Sequence, residues 1–355
     1  MILERTRVFR VSKTADTPAD EEAFGFAADI LRRGGLVVFP TETVYGLGAN
    51  ALDEAACKRI FEAKGRPASN PLILHFSRKE DIASVCETGV PGFDALSSLM
   101  PAPLTVILPA KDVIPRTTTG GLDTAAVRVP TSAAARRLID ACGFPIAAPS
   151  ANLSGKPSPT NARDVLEDMD GRADVILDGG DCEVGVESTI VTLCAEVPTL
   201  LRPGGITAEK LAALLGSLRV DDNVLHPPKA DLKVLSPGML FRHYAPDKPV
   251  TLVKGRPAEV AAYLADRAAA ENAAVICYED DAPFIRAPHV LAAGKRGDDA
   301  AYAAHLFAML RDTNRLDVKK VYAVLPETDE GIALAVYNRL LRAAGFRVVT
   351  VGKEV

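Results

Sequence analysis

Residues 34–48 read Gly-Gly-Leu-Val-Val-Phe-Pro-Thr-Glu-Thr-Val-Tyr-Gly-Leu-Gly, and this stretch decides the fold. Leu36–Phe39 is a short apolar run of the kind that forms a buried strand, and Pro40 ends it. Upstream, Phe24–Arg33 carries a helical pattern with Gly34-Gly35 as its stop. Downstream, Thr41 and Thr43 put hydroxyls at the carboxyl end of a strand, where open α/β sheets bind ligands. Helix, stop, buried strand and polar loop together form the unit of an α/β domain.

The same alternation continues. Asp53 can cap a helix whose apolar stripe is Ala56, Ile60 and Ala63. Strands are expected at Leu72–Phe76, Leu104–Leu108, Ala126–Val129, Asp174–Leu177, Ser188–Leu193 and Thr199–Arg202, and helices near Ala133–Ala141, Ala162–Met169 and Ala208–Leu215. Composition then shifts. Residues 216–249 contain Pro227-Pro228, Ser236-Pro237-Gly238 and Ala245-Pro246, which read as an extended linker. From Val250 onward strands (250–253, 274–278, 289–291, 321–325, 348–351) alternate with helices (258–270, 300–312, 331–343), the pattern of a small, largely parallel Rossmann-like domain. No G-x-G-x-x-G follows its first strand, so dinucleotide binding is not indicated. The expected organisation is a first domain over 1–215, a linker over 216–249 and a second domain over 250–355.

Composition narrows the function. With 355 residues the chain has the length of two domains. It is 48% hydrophobic, 5% aromatic and free of Trp, so the cores must be built from Ala, Val, Leu and Ile. A net charge of −5 lacks the Lys/Arg excess of a sequence-blind nucleic-acid binder, so any nucleic-acid role must be local or delegated to a partner. The six cysteines form no C-x-x-C pair and read as reduced core thiols. Neither a signal peptide nor an apolar run of about 20 residues is present, so the expectation is a cytoplasmic protein with no membrane partner.

Four polar segments stand where a core would be apolar. The first is Pro40–Gly48. The second, Lys64-Gly65-Arg66-Pro67-Ala68-Ser69-Asn70-Pro71-Leu72-Ile73-Leu74-His75, places two cations on a stiff loop that can clamp a polyphosphate, Lys as a point charge and Arg as a fork. The third, Ala147–Thr160, sets Ser150, Asn152, Ser154 and Ser158 among small residues that let a ligand approach the backbone. The fourth joins Glu187-Ser188-Thr189-Ile190 to Arg202-Pro203-Gly204. Arg202 ends a strand and Arg128 lies within one, and an arginine is costly to bury in a strand without an anion. A Walker A loop, a G-x-S-x-G elbow and an H-E-x-x-H pair are all missing. The chemistry expected is one in which positioning and charge neutralisation suffice, such as nucleotidyl transfer from ATP to a carboxylate.

Taken together, G-G-x-V-x-x-P-T-E-T-V-Y-G-L-G, K-x-R-P-x-x-N-P-L-x-x-H, A-P-S-A-N-x-S-G-x-P-S-P-T and E-S-T-I-V with L-R-P-G resemble the YrdC-like family. The linker Ser236–Pro246 and the stretch Gly331–Leu340 are similar to its long, two-domain branch. The resemblance implies a twisted mixed-sheet α/β domain followed by the smaller Rossmann-like one. It also implies L-threonylcarbamoyladenylate synthesis: L-threonine, bicarbonate (or CO2) and ATP give threonylcarbamoyl-AMP and pyrophosphate. The product feeds modification of the adenosine beside a tRNA anticodon through a separate transferase partner, so little direct tRNA binding is expected of this chain.

By matching motifs, the resemblance places L-threonine at Thr43, His75, Arg128, Ala148 and Ser188. It places ATP at Arg66, Asn70, Thr124, Ser150, Ser158 and Arg202, with Tyr244 reaching in from the linker, which is expected to serve as a lid over the active site. Lys64 is added on charge grounds, so Lys64 and Arg66 form the catalytic cation pair. Mg2+ is expected through the ATP phosphates, with no protein metal site and no tightly bound organic cofactor. The chain departs from the family pattern at Met100-Pro101-Ala102-Pro103, which replaces Trp-Pro-Gly-Pro, and at Ser132, which replaces His. Two rivals remain at this point. One is an RNA-binding or ribosome-assembly module without ATP turnover. The other is carbamoyl transfer in hydrogenase maturation, which would call for zinc-finger segments that the cysteine spacing excludes.

Overall fold

The computed structural model describes residues 6–227 and 243–352. The large sheet contains β1 (Arg7–Arg10), β2 (Val37–Phe39), β3 (Gly46–Asn50), β4 (Ile73–His75), β5 (Leu104–Pro109), β6 (Thr124–Arg128), β7 (Ile146–Ala147), β8 (Val175–Asp178), β9 (Thr189–Thr192), β10 (Thr199–Arg202) and β11 (Arg219–Val220). Their order is β1-β8-β2-β3-β7-β4-β6-β5-β9-β10-β11, with parallel and antiparallel pairs mixed. The second sheet contains β12 (Val250–Lys254), β13 (Ala273–Cys277), β14 (His289–Ala292), β15 (Lys320–Val324) and β16 (Val348–Thr350). It is parallel throughout, in the order β14-β13-β15-β12-β16. The expected α/β class and the parallel second sheet are both present.

The helices are α1 (Pro18–Arg32), α2 (Glu54–Lys64), α3 (Phe93–Ser97), α4 (Arg116–Thr119), α5 (Ala133–Cys142), α6 (Ala162–Met169), α7 (Ala208–Leu215), α8 (Pro257–Ala270), α9 (Asp299–Arg315) and α10 (Ala333–Ala343). Strand β2 shows how the first sheet is buried on both faces. Val37 and Phe39 pack with Phe24 and Leu31 of α1 and with Leu138 of α5, while Val38 joins Ile60 and Phe61 of α2 on the other side. Each large side chain buried this way contributes about 1.5–3 kcal/mol. Five cysteines are buried and free as expected, but Cys194 is exposed. Among the described residues no helix is long and apolar enough to cross a membrane.

The structure departs from the expected boundaries in three instructive places. Helix α1 starts at Pro18, six residues before the expected Phe24, because Thr17 and Asp20 form a reciprocal capping box and Pro18 suits the first turn. Residues 46–48, expected within a polar loop, are strand β3. A Cβ at Gly48 would stand 2.7 Å from Ile146 and 2.9 Å from the Phe39 ring, so these glycines let a strand pass an aromatic ring. The expected linker at 216–249 begins with β11, which still extends the first sheet by pairing with β10. Residues Ser236–Arg242 of its motif lie outside the described residues.

The two sheets share a tight seam. Val44 and Val186, from loops of the first, join a core with Leu306, Phe307 and Leu310 of α9 and Val336 and Leu340 of α10. Gly185 lies so close to α9 that a Cβ would stand 2.3 Å from Ala304 Cα. Arg311 of α9 is buried and donates to the Pro157 carbonyl at 2.7 Å and to Asp168 at 2.5 Å.

Candidate active site

The carboxyl ends of β2, β4, β6 and β10 converge on one cavity. It is lined by Lys64, Arg66, Asn70, His75, Arg128, Ala148, Ser150, Glu187, Arg202 and Tyr244, together with Thr41, Asn152 and His243. Strands β4 and β6 run parallel with His75 directly beside Arg128, so both residues project to the same side. Nine of the residues expected at the site therefore come together: Lys64, Arg66, Asn70, His75, Arg128, Ala148, Ser150, Arg202 and Tyr244. Thr43, Ser158 and Ser188 stand one step back and contact wall residues. Thr124 opens β6 opposite Pro109, away from the described wall.

Arg128 is held on one edge. Its Nη2 donates to Glu42 Oε1 at 2.5 Å and to Thr43 Oγ1 at 2.9 Å, while its Nε is buried without a partner. Glu42 also accepts from the Thr131 N–H at 3.2 Å. An unpartnered buried guanidinium nitrogen is costly, and a carboxylate delivered by a ligand would satisfy it. His75 donates Nδ1–H to the Ile73 carbonyl at 3.0 Å, which fixes its tautomer. Burial, followed by the Arg128 charge, pushes its pKa down to about 3, so the ring is neutral.

The other end of the cavity is cationic. Gly65 ends α2 in a left-handed conformation, turning the chain so that Lys64 and Arg66 both line the wall. Lys64 Nζ donates to the Ser150 carbonyl at 2.5 Å and to the Asn152 carbonyl, so it also anchors the third motif. Burial and the neighbouring Arg66 push the Lys64 ammonium well below its ordinary range. Arg66 donates to the Pro71 carbonyl at 3.1 Å and keeps a buried, unpartnered Nε. Burial lowers Arg66 to about 10 and shifts Arg202 in the same direction. Arg202 grips Ser188 through the carbonyl at 3.0 Å and the hydroxyl at 3.1 Å, and Ser188 in turn meets Thr105 at 2.7 Å. Among the described lining residues, Lys64, Arg66, Arg128 and Arg202 thus face one carboxylate, Glu187; burial disfavours the charge of Lys64, Arg66 and Arg202, and Arg128 keeps a buried Nε without a partner. An entering polyanion would relieve that deficit.

Tyr244 closes the far side. It is buried, lies 5.2 Å from Phe307 ring to ring, and adopts a φ of 63°, an uncommon backbone state for a bulky residue. Beside it, His243 lines the cavity with a buried, unpartnered Nδ1, and burial holds it down to about 3. His243, Thr41, Asn152 and Glu187 sit within motifs read from the sequence but are not among the residues assigned there to L-threonine or ATP. Their signal was the motif itself: each is a polar residue flanking an assigned one.

Comparison with known proteins identifies the family. Residues 29–204 match the Sua5/YciO/YrdC family, described as "Telomere recombination". Residues 206–345 match the family described as "Threonylcarbamoyl-AMP synthase, C-terminal domain". Threonylcarbamoyl-AMP synthase of Bacillus subtilis is 41% identical over 97% of this chain and 99% of its own. That of Pyrococcus abyssi is 42% identical over 94% and 97%. The crystal structure of P. abyssi Sua5 complexed with L-threonine superposes with a TM-score of 0.91 at 41% identity, covering 98% of this chain and all of that one. With both parts of the chain matched and these relatives aligned along nearly its whole length, the protein belongs to the threonylcarbamoyl-AMP synthase family.

Proposed function

We propose that this protein makes threonylcarbamoyl-AMP from L-threonine, bicarbonate or CO2, and ATP, releasing pyrophosphate. The observation that carries the reading is the pairing within one cavity of an arginine poised for a carboxylate, Arg128, with a cluster suited to polyphosphate, Lys64, Arg66 and Arg202. The relatives named for this reaction support it. Arg128 Nε and its free edge would take the amino acid's carboxylate, with Thr43 holding the guanidinium and neutral His75 beside it. Ala148 offers a small residue against which the amino acid can lie. Arg66, Asn70, Ser150 and Arg202 would receive ATP, and Tyr244 with His243 would cover the nucleotide. Ser158 and Ser188 support this wall from behind.

The amine captures CO2 as a carbamate, whose oxygen attacks the α-phosphorus as pyrophosphate leaves. Charge accumulates on the phosphates, and the fixed cations offset it without reorganising. The buried wall excludes water, which would hydrolyse both the carbamate and the adenylate. Among the described residues, no group of three or more His, Cys, Asp or Glu could hold a metal. Glu187 is the carboxylate on the wall, and it is already paired. The donor set does not fit a resident cation, and Mg2+ would arrive with the phosphates of ATP. The downstream consumer would be a transferase that takes the adenylate to tRNA.

Incubating the protein with ATP, L-threonine and bicarbonate, followed by liquid chromatography and mass spectrometry, should reveal threonylcarbamoyl-AMP. AMP or ADP with no threonine-containing adenylate would contradict the reading.

A further inference from the structure

Glu187 faces the cavity as the single carboxylate among its described lining residues, in a space otherwise suited to a polyanion. A bare carboxylate there would repel phosphates and pull Arg202 toward itself. The structure answers this from the second sheet. Arg339 of α10 is completely buried, does not line the cavity, and donates Nε to Glu187 Oε2 at 2.9 Å. The other Glu187 oxygen accepts from Ser158 at 2.6 Å. Arg339 is itself oriented by Asn338 at 2.9 Å, and its guanidinium sits 5.5 Å from the Tyr244 ring. Asn338 also donates to the Val224 carbonyl at 2.6 Å. One short face of α10 thus holds the cavity's carboxylate, one of its covering aromatics and the chain entering the connecting segment.

We propose that Arg339 is a positioning residue for nucleotide binding: it cancels the charge of Glu187 from behind the wall and aims that carboxylate at Ser158, so that the wall does not repel the nucleotide's phosphates. Burial alone would raise the Glu187 carboxyl, but Arg339, then Arg202 and the Ser158 hydroxyl, outweigh it and hold the group below the usual carboxylate range. The second domain therefore contributes electrostatics to a site whose cations all come from the first. The inference rests on the ATP-binding reading above.

The test compares Arg339→Met, Arg339→Lys and the double variant Arg339→Met/Glu187→Gln with the wild-type chain. ATP KM is read from pyrophosphate release, and L-threonine Kd from calorimetry. Arg339→Met should raise the ATP KM at least roughly tenfold while moving the L-threonine Kd less than about twofold. The double variant, which removes both charges, should return the ATP KM to within about threefold of wild type. Equal loss of both substrates, an unchanged ATP KM, or no rescue in the double variant would overturn the proposal. If Arg339→Met does not fold, Arg339→Lys and the double variant decide: near-wild-type ATP KM in both supports it, and loss of ATP binding in a folded double variant overturns it. Wild-type protein that releases no pyrophosphate would instead contradict the functional reading itself.

Discussion

Two buried arginine–glutamate pairs flank the same cavity and are built in opposite senses. In Arg128–Glu42 the cation faces the cavity and the carboxylate stands behind it. In Glu187–Arg339 the carboxylate faces the cavity and the cation stands behind. Both pairs are nearly inaccessible to solvent, so neither can be discounted as a screened surface contact. The first pair forms within one sheet, between the end of β6 and the loop after β2. The second crosses the seam between sheets, from residue 187 to residue 339. A cation that must take up a ligand's carboxylate needs support that leaves a donor free, and Arg128 keeps its Nε. A carboxylate in a polyanion's path needs its charge cancelled, and Arg339 cancels it.

The first pair should give the largest effect when broken. Arg128→Met leaves Glu42 buried and uncompensated, costing about 3–5 kcal/mol of stability. It also removes the proposed anchor for L-threonine, so the Kd by calorimetry should rise at least about a hundredfold. Thr43→Val removes one hydrogen bond to the same guanidinium and should cost about tenfold or less. An L-threonine Kd unchanged in a folded Arg128→Met variant would place the amino acid elsewhere and dissolve the contrast between the pairs.

The two cavity histidines give a smaller effect. His75 and His243 take no proton until about pH 3 when folded, against an ordinary value of 6.5. Between those values the unfolded chain binds more protons than the folded one, so stability falls as pH falls below 6.5. Each histidine contributes a slope of about 1.4 kcal/mol per pH unit. Urea unfolding from pH 7.5 to 5 should show this loss, and His243→Gln should reduce its slope. Stability that rises on acidification through this window would show that these rings accept protons when folded.

The contrast also marks what could be read from the chain alone. Of the first pair, Arg128 is legible as an arginine in an apolar strand, whereas Glu42 carries no signal beyond its place in a Pro-Thr-Glu-Thr run at a strand end, and their pairing emerges only in the fold. The Arg339 pair was not legible. Its partners are 152 residues apart, and an arginine on a helix ordinarily reads as part of a solvated face. The signal lay in its neighbours, since Leu334, Val336, Leu340 and Leu341 place Arg339 among apolar positions rather than on a polar stripe. Strand β3 was missed for a different reason. Glycine lowers strand propensity, and its purpose at Gly46 and Gly48 appears once Phe39 and Ile146 are packed against it. The start of α1 is legible in Thr17, Pro18 and Asp20, a capping signal that lies upstream of the expected Phe24–Arg33 helix.

The most direct test of a cavity that joins an amino-acid carboxylate site to a polyphosphate site is pyrophosphate release from ATP by the full chain, measured with L-threonine and bicarbonate each present or omitted. Release should require both, and Arg66→Ala should abolish it while leaving the fold intact. Release from ATP alone, or full turnover in Arg66→Ala, would contradict the joint site.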